Sequence, residues 1–214
     1  MRGLATFSSF EKVACPRFSF KGATVPRLPR SLQSGLVYHV ISRGNAQARV
    51  FHKPQDYEAF LDLLAAAKQR TPVRLFAFCV MPNHFHLVVE PETPLNLSRF
   101  MQWLMTSHVR RYHQHYQSSG HVWQGRFKSF PIQRDEHLLT VLRYVRQNPV
   151  RASLVATESE WPWSSAKLVD LVDPCPVEDS GEVDALSAGQ IQELRQCVNG
   201  QRPFGSKDWL RTLK

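Results

Sequence analysis

Cysteine is scarce in this 214-residue chain, with Cys15, Cys79, Cys175 and Cys197 far apart and no Cys-x-x-Cys pair. Neither a zinc knuckle nor a disulfide framework is encoded, and a reducing, cytoplasmic setting is expected. Long apolar runs are missing too. The longest, Leu75 to Met81, falls well short of the roughly 18 residues that span a bilayer, so no membrane partner is expected. Acidic side chains are the minority charge, 18 against 27 Lys and Arg, for a net +9. With 43% hydrophobic and 21% charged residues the composition is that of an ordinary globular protein, and the length suits one compact domain with appendages.

The basic excess is unevenly placed. Residues 1–30 carry 6 basic and 1 acidic side chain, residues 31–150 carry 14 and 7, and residues 151–214 carry 7 and 10. Between Arg99 and Arg146, eight cations (Arg99, Arg110, Arg111, Arg126, Lys128, Arg134, Arg143, Arg146) face only Asp135 and Glu136. Such a concentration favours a polyanion, because phosphates are bound through salt-dependent Lys and Arg contacts. The alternative is a solvated basic face.

Along the chain, residues 1–30 show no helical or strand period and read as a flexible basic arm. Leu36 to Ile41 reads as a buried strand ending at the turn-like Arg43-Gly44-Asn45, and Pro54 opens a helix with Tyr57, Phe60, Leu61 and Leu64 on one face. Val73 to Val80 and His84 to Val89 form an expected hairpin around Met81-Pro82-Asn83. A long helix follows from Leu97 to about Gln117, then a strand over Val122 to Ile132, then a helix from Asp135 that stops near Asn148 because Pro149 follows. The order β-α-β-β-α-β-α suits an α+β, ferredoxin-like antiparallel sheet with helices packed on it. That domain is expected over 31–165, with 166–214 as a C-terminal extension containing a short helix from Ser187 to about Cys197.

His84-Phe85-His86 is the sharpest local signal. On a strand, residues i and i+2 share a face, so both imidazoles point one way while Phe85 points to the core. Two imidazoles amid apolar neighbours make half a metal site; the other reading is an exposed face where both meet solvent. Asn148 is the candidate third ligand. Helical geometry places Tyr144 beside the buried stripe of Leu138, Val141, Leu142 and Val145, on the same side as Asn148 one turn later. Two nitrogens and a neutral oxygen suit Mg2+ or Mn2+ acting on a phosphoryl group, with Tyr144 as the nucleophile. Interleaved basic and aromatic residues around Arg110, Arg111 and Tyr112, and along Trp123-Gln124-Gly125-Arg126-Phe127-Lys128, suit single-stranded bases and phosphates or a solvated helix end.

Several segments taken in order resemble a known family: Tyr38-His39-Val40 with Ser42-Arg43-Gly44-Asn45, Met81 to Leu87, Gly120 to Ser129, Arg143 to Ala152, and Trp161-Pro162-Trp163-Ser164-Ser165. Together, from about residue 27 to 167, they resemble the REP-associated tyrosine transposases, relatives of the single-strand insertion-sequence transposases. The resemblance implies a histidine-hydrophobe-histidine endonuclease and strand transferase. Its implied metal pair is His84 and His86, and Tyr144 is joined to the 5′ phosphate. Asn148 stands where relatives have a Gln ligand, with the neighbouring Gln147 as its substitute. The implied partner is single-stranded DNA in palindromic, REP-like hairpins. DNA contacts are expected from Arg43, Arg110, Arg111, Trp123, Arg126, Lys128, Arg143 and Arg146, in a nucleoid-associated monomer or homodimer. A catalytically silent hairpin-binding protein and an RNA-directed nuclease are the competing readings.

Overall fold

The computed structural model describes residues 32–177 and 186–213, so the arm expected over 1–30 lies outside the described residues. Four strands, β1 (Val37–Arg43), β2 (Val73–Met81), β3 (His84–Pro91) and β4 (Lys128–Ile132), form one antiparallel sheet in the order β2-β3-β1-β4. Helices α1 (Pro54–Arg70) and α2 (Pro94–Tyr116) occupy the two long connections, β1 to β2 and β3 to β4. Each connection joins two parallel strands with an antiparallel one between them, the split βαβ arrangement expected from the element order.

The sheet separates two cores, and the pleat decides which residue enters which. Tyr38 and Val40 of β1 and Phe85, Leu87 and Val89 of β3 pack with Phe60 and Leu64 of α1 and Leu97, Phe100 and Leu104 of α2. Their alternate neighbours, Val37 and Val88, face the other way, toward α3 (Glu136–Arg146), whose Leu138, Val141, Leu142 and Val145 fill the second core. A β-bulge between Leu75 and Ala77 lets Phe76 and Ala77 enter this second core together, which shifts the alternation along β2. Among the described residues no helix is long and apolar enough to cross a membrane.

Two sequence expectations change in the structure. The extended stretch foreseen over Val122 to Ile132 is a strand only from Lys128; the chain before it turns at Gly125, at φ +67°, and buries Val122, Trp123 and Phe127 in the first core. The turn foreseen at Arg43 begins one residue later, because Arg43 still pairs with His84. Gly44 then lies so close to neighbouring backbone that a Cβ there would stand 2.3 Å from the Ala48 carbonyl oxygen. The helix stop expected near Asn148 is met, since α3 ends at Arg146 with Gln147 as its C-cap. Pro149 sits in the first turn of a separate short helix, α4 (Asn148–Arg151), where its missing N–H is no loss.

The end of the domain and the C-terminal extension both join the sheet's architecture. The Val80 N–H donates to the Trp163 carbonyl at 2.9 Å and the Ser165 N–H to the Phe78 carbonyl at 2.9 Å, while Asp173 bridges Leu75 through backbone and carboxylate. On the opposite edge the Phe204 N–H donates to the Pro131 carbonyl at 2.9 Å. Both edge strands are thereby covered, which removes the open rows of backbone donors and acceptors that invite aggregation. Helix α5 (Ala188–Gly200), capped by Ser187, adds Leu194 and Val198 to the second core, and α6 (Lys207–Thr212) follows it.

His108 of α2 is buried in the first core among Phe51, Phe60 and Trp123, and burial pushes its pKa down to about 4. In the unfolded chain it titrates near 6.5, so below that pH the unfolded state binds a proton that the native state refuses. Stability is therefore lost as pH falls from about 6.5 toward 4, at roughly 1.4 kcal/mol per unit from this residue. Urea unfolding of His108→Phe across that range is expected to show a flatter acid limb than the parent, and an unchanged slope would contradict it.

Candidate active site

His84 and His86 are both 5% exposed and lie on the α3 face of β3, their ring centroids 5.0 Å apart. The sequence left open whether that face is solvated, and α3 closes it. Each Nδ1 is already engaged. The Nδ1 of His84 stands 2.7 Å from Asn83 Oδ1, and the Asn83 amide is itself oriented by donating from Nδ2 to the Gln47 carbonyl at 3.2 Å. Since Asn83 Oδ1 only accepts, His84 carries its hydrogen on Nδ1 and leaves a bare lone pair on Nε2. The Nδ1 of His86 meets Nε2 of His39 at 2.8 Å.

All three rings are neutral. Burial alone takes His39 down to about 3, burial and then the Arg43 charge take His84 to about 3, and His86 is held well below the usual imidazole range by burial first, then by His84, His39, Arg151 and Arg43. Neutral imidazoles with unbonded Nε2 atoms are what a divalent cation requires of nitrogen ligands.

Tyr144 joins them from α3. Its ring centroid is 6.1 Å from that of His86 and 6.2 Å from that of His39, edge-on to both. The other four tyrosines are committed elsewhere. Tyr38 is buried with its hydroxyl donating to the Gln33 carbonyl, and Tyr57 is buried against Phe51 and Trp163. On α2, the Tyr112 hydroxyl pairs with His52, and Tyr116 donates to Asp56 at 2.6 Å. Asn148 is 8% exposed at the start of α4, and among the described residues its carboxamide makes no side-chain hydrogen bond.

Arg151 is a residue that the sequence reading passed over. Its guanidinium lies 4.0 Å from the Tyr144 ring centroid and donates from Nη2 to the Tyr144 carbonyl at 2.5 Å, clasping the tyrosine from ring and backbone together. His39 was passed over as well. The burial argument applied to His84 and His86 would have found it, because His39 occupies an alternate position of an equally apolar strand.

The expected DNA contacts divide into four groups. Arg43 and Lys128 lie beside the histidines; Arg43 acts on His84, and burial, then the Arg43 charge, lowers the ammonium pKa of Lys128. Arg126 is exposed on the segment before β4, and Arg143 and Arg146 are half-buried on α3. Arg110 and Arg111 are exposed on α2, which covers the opposite face of the sheet, so they are not brought to the histidines. Trp123 requires a correction: it is 4% exposed, packed against Phe51, Phe60, Phe85 and His108, and offers no open face for stacking a base. Its apolar area does more in the first core than at a wet surface. Among the described residues, the cluster of three acidic or imidazole ligand atoms is Asp135, Glu136 and His137; there Asp135 caps α3 and accepts from His137, a structural role.

A strand-borne histidine pair, a tyrosine facing it from a helix and a rim of cations form a set suited to phosphodiester chemistry. The family model described as "Transposase IS200 like" matches residues 32–148. The chain belongs to the IS200-like transposase family. A Haemophilus influenzae relative assigned as a REP-associated tyrosine transposase is 30% identical over 131 residues, spanning 56% of this chain and 74% of that protein. The Escherichia coli REP-associated tyrosine transposase is 22% identical over 160 residues, spanning 74% of this chain and 93% of its own. The solved structure of a REP-associated tyrosine transposase bound to a REP hairpin superposes with a TM-score of 0.52 at 20% identity, covering 77% of this chain and 96% of that one, and shows the same fold. This transposase is therefore a DNA-processing enzyme carrying the α+β sheet expected from its sequence.

Proposed function

We propose that this transposase cuts and rejoins single-stranded DNA beside palindromic, REP-like hairpins, with Tyr144 as the nucleophile. The observation that carries the reading is the approach of the Tyr144 ring to within 6.1 Å of the His86 ring, when every other tyrosine is engaged elsewhere. The Tyr144 phenol oxygen forms a bond to the scissile phosphorus. The bond from phosphorus to the 3′ oxygen breaks, the phenol gives up its proton while the departing 3′ oxygen takes one up to become a hydroxyl, and the 5′ phosphate remains joined to Tyr144. Attack of a 3′ hydroxyl on that ester reverses the step, so bond energy is kept through strand exchange.

His84, His86 and Asn148 would hold a divalent cation, Mg2+ or Mn2+. The donor set fits: two neutral imidazoles and a buried carboxamide whose Nε2 atoms and amide meet no hydrogen-bond partner among the described residues. When bound, the ion supplies Lewis-acid polarisation of the phosphoryl oxygens. Arg151 fixes the tyrosine ring, while Arg43 and Lys128 bring positive charge to where the phosphate diester must lie.

A hairpin oligonucleotide labelled on either side of its single-stranded flank, incubated with Mn2+ and run on a denaturing gel, tests the reading. A downstream fragment joined to the protein through its 5′ phosphate and an upstream fragment ending in a free 3′ hydroxyl are expected; cleavage without a covalent adduct would refute the tyrosine route. Removing Arg126 and Lys128 together is expected to flatten the dependence of log affinity on log salt by about two units if each neutralises one phosphate. An unchanged slope would take this segment out of the interface.

A further inference from the structure

We infer that His39 is a positioning residue for the cation site: it accepts the Nδ1 hydrogen of His86 and so leaves the His86 Nε2 lone pair available to a divalent ion. The inference rests on the metal-dependent reading of the site. His39 comes from β1, diagonally across the ladder from His86, because Ile41 is the direct partner of His86 and His39 that of Val88. The diagonal separation is within reach of two aromatic side chains. Their rings stack with centroids 5.1 Å apart and an interplanar angle of 22°, and the nitrogens meet at 2.8 Å. Phe130 and Tyr144 stand 6.2 Å from the His39 ring on other sides, so it is 1% exposed and packed in place.

Two neutral imidazoles sharing one hydrogen bond have two arrangements. If His39 donates from Nε2, the His86 hydrogen sits on its own Nε2, and His86 has no lone pair for a cation. If His86 donates from Nδ1, its Nε2 is bare, and His39 carries its hydrogen on Nδ1. That Nδ1 is buried and meets no partner among the described residues. A polar atom buried without a partner is uncommon in native structures and calls for a reason. Nδ1 of His39 is without a partner in either arrangement, so it does not choose between them; the second is favoured because it makes His86 match His84, whose Nδ1 is held by Asn83 in the same sense. Each imidazole then has a dedicated acceptor behind it, Asn83 for one and His39 for the other, which is how ligand tautomer and ring orientation are fixed in metal sites.

Two variants and one spectrum test this. Titration calorimetry of the DNA-free protein with MnCl2 reads the site without any turnover. His39→Phe keeps the packing volume and removes the acceptor, and about 10- to 100-fold weaker Mn2+ binding is expected. His39→Gln offers an amide oxygen as acceptor and is expected to recover most of that loss. Equal affinity in His39→Phe and the parent, or no recovery in His39→Gln, would overturn the inference. Nitrogen-15 correlation spectra of the metal-free parent read the His86 tautomer directly, so the inference stays testable if His39→Phe does not fold. A hydrogen on Nδ1 supports it, and a hydrogen on Nε2 with normal Mn2+ binding overturns it alone. A parent protein with the Nδ1 tautomer that binds no Mn2+ refutes the metal reading itself, along with any part of His39 in it.

Discussion

Tyr144→Phe is expected to lose covalent adduct formation and cleavage by at least about 1,000-fold while binding hairpin DNA as the parent does. Removing a nucleophile closes the two-step route entirely, and no neighbouring tyrosine replaces it. Tyr112 and Tyr116 lie on α2 behind the sheet, with hydroxyls held by His52 and Asp56. The substitution conserves ring volume, the contact with Arg151 and the edge-on packing against His39 and His86, so a stability change below about 1.5 kcal/mol is expected. The check is a denaturing gel with peptide mapping, alongside a hairpin-binding isotherm. An adduct that persists in the variant, or maps to Tyr112 or Tyr116, would show that a different tyrosine attacks.

His84→Ala and His86→Ala are each expected to abolish cleavage and to weaken Mn2+ binding by at least about 100-fold, more than loss of an outer partner does. DNA binding should change little, because on the proposed reading it would rest on cations such as Arg43, Arg126 and Lys128 rather than on neutral imidazoles. The two variants differ in what they leave behind. His84→Ala strands Asn83 Oδ1 near the surface, where water can satisfy it. His86→Ala strands Nε2 of His39, whose Nδ1 is already unpartnered and which is 1% exposed, so this variant should also be the less stable in urea. Full cleavage by either variant in the presence of a chelator would remove the metal from the reaction.

Much of this was legible in the chain because the relevant signals are local. The His84-Phe85-His86 alternation fixes two imidazoles on one face of a strand whatever else the protein does, and the pleat then sends Phe85 into the first core. The stripe of α3 likewise placed Tyr144 beside, rather than within, its buried side, and the structure leaves it half-buried there. Trp123 shows the opposite limit. Its segment mixes basic and aromatic residues as a nucleic-acid surface does, and only the turn at Gly125 and the space between α1 and α2 decide that the indole goes inward.

The element order, the two-faced pattern of the strands, the histidine pair, the tyrosine and the charge that favours a nucleic-acid partner are all written in the chain, since each follows from spacing within a few residues or from composition. Tertiary structure alone decided the rest. It set His39 against His86 and Arg151 over Tyr144, moved Arg110 and Arg111 behind the sheet, and laid Trp163 to Ser165, Asp173 and Phe204 along the two sheet edges. Those contacts join residues from 7 to nearly 100 positions apart. Strand order and helix packing fix them, and no periodicity within either partner segment encodes a distance between the two.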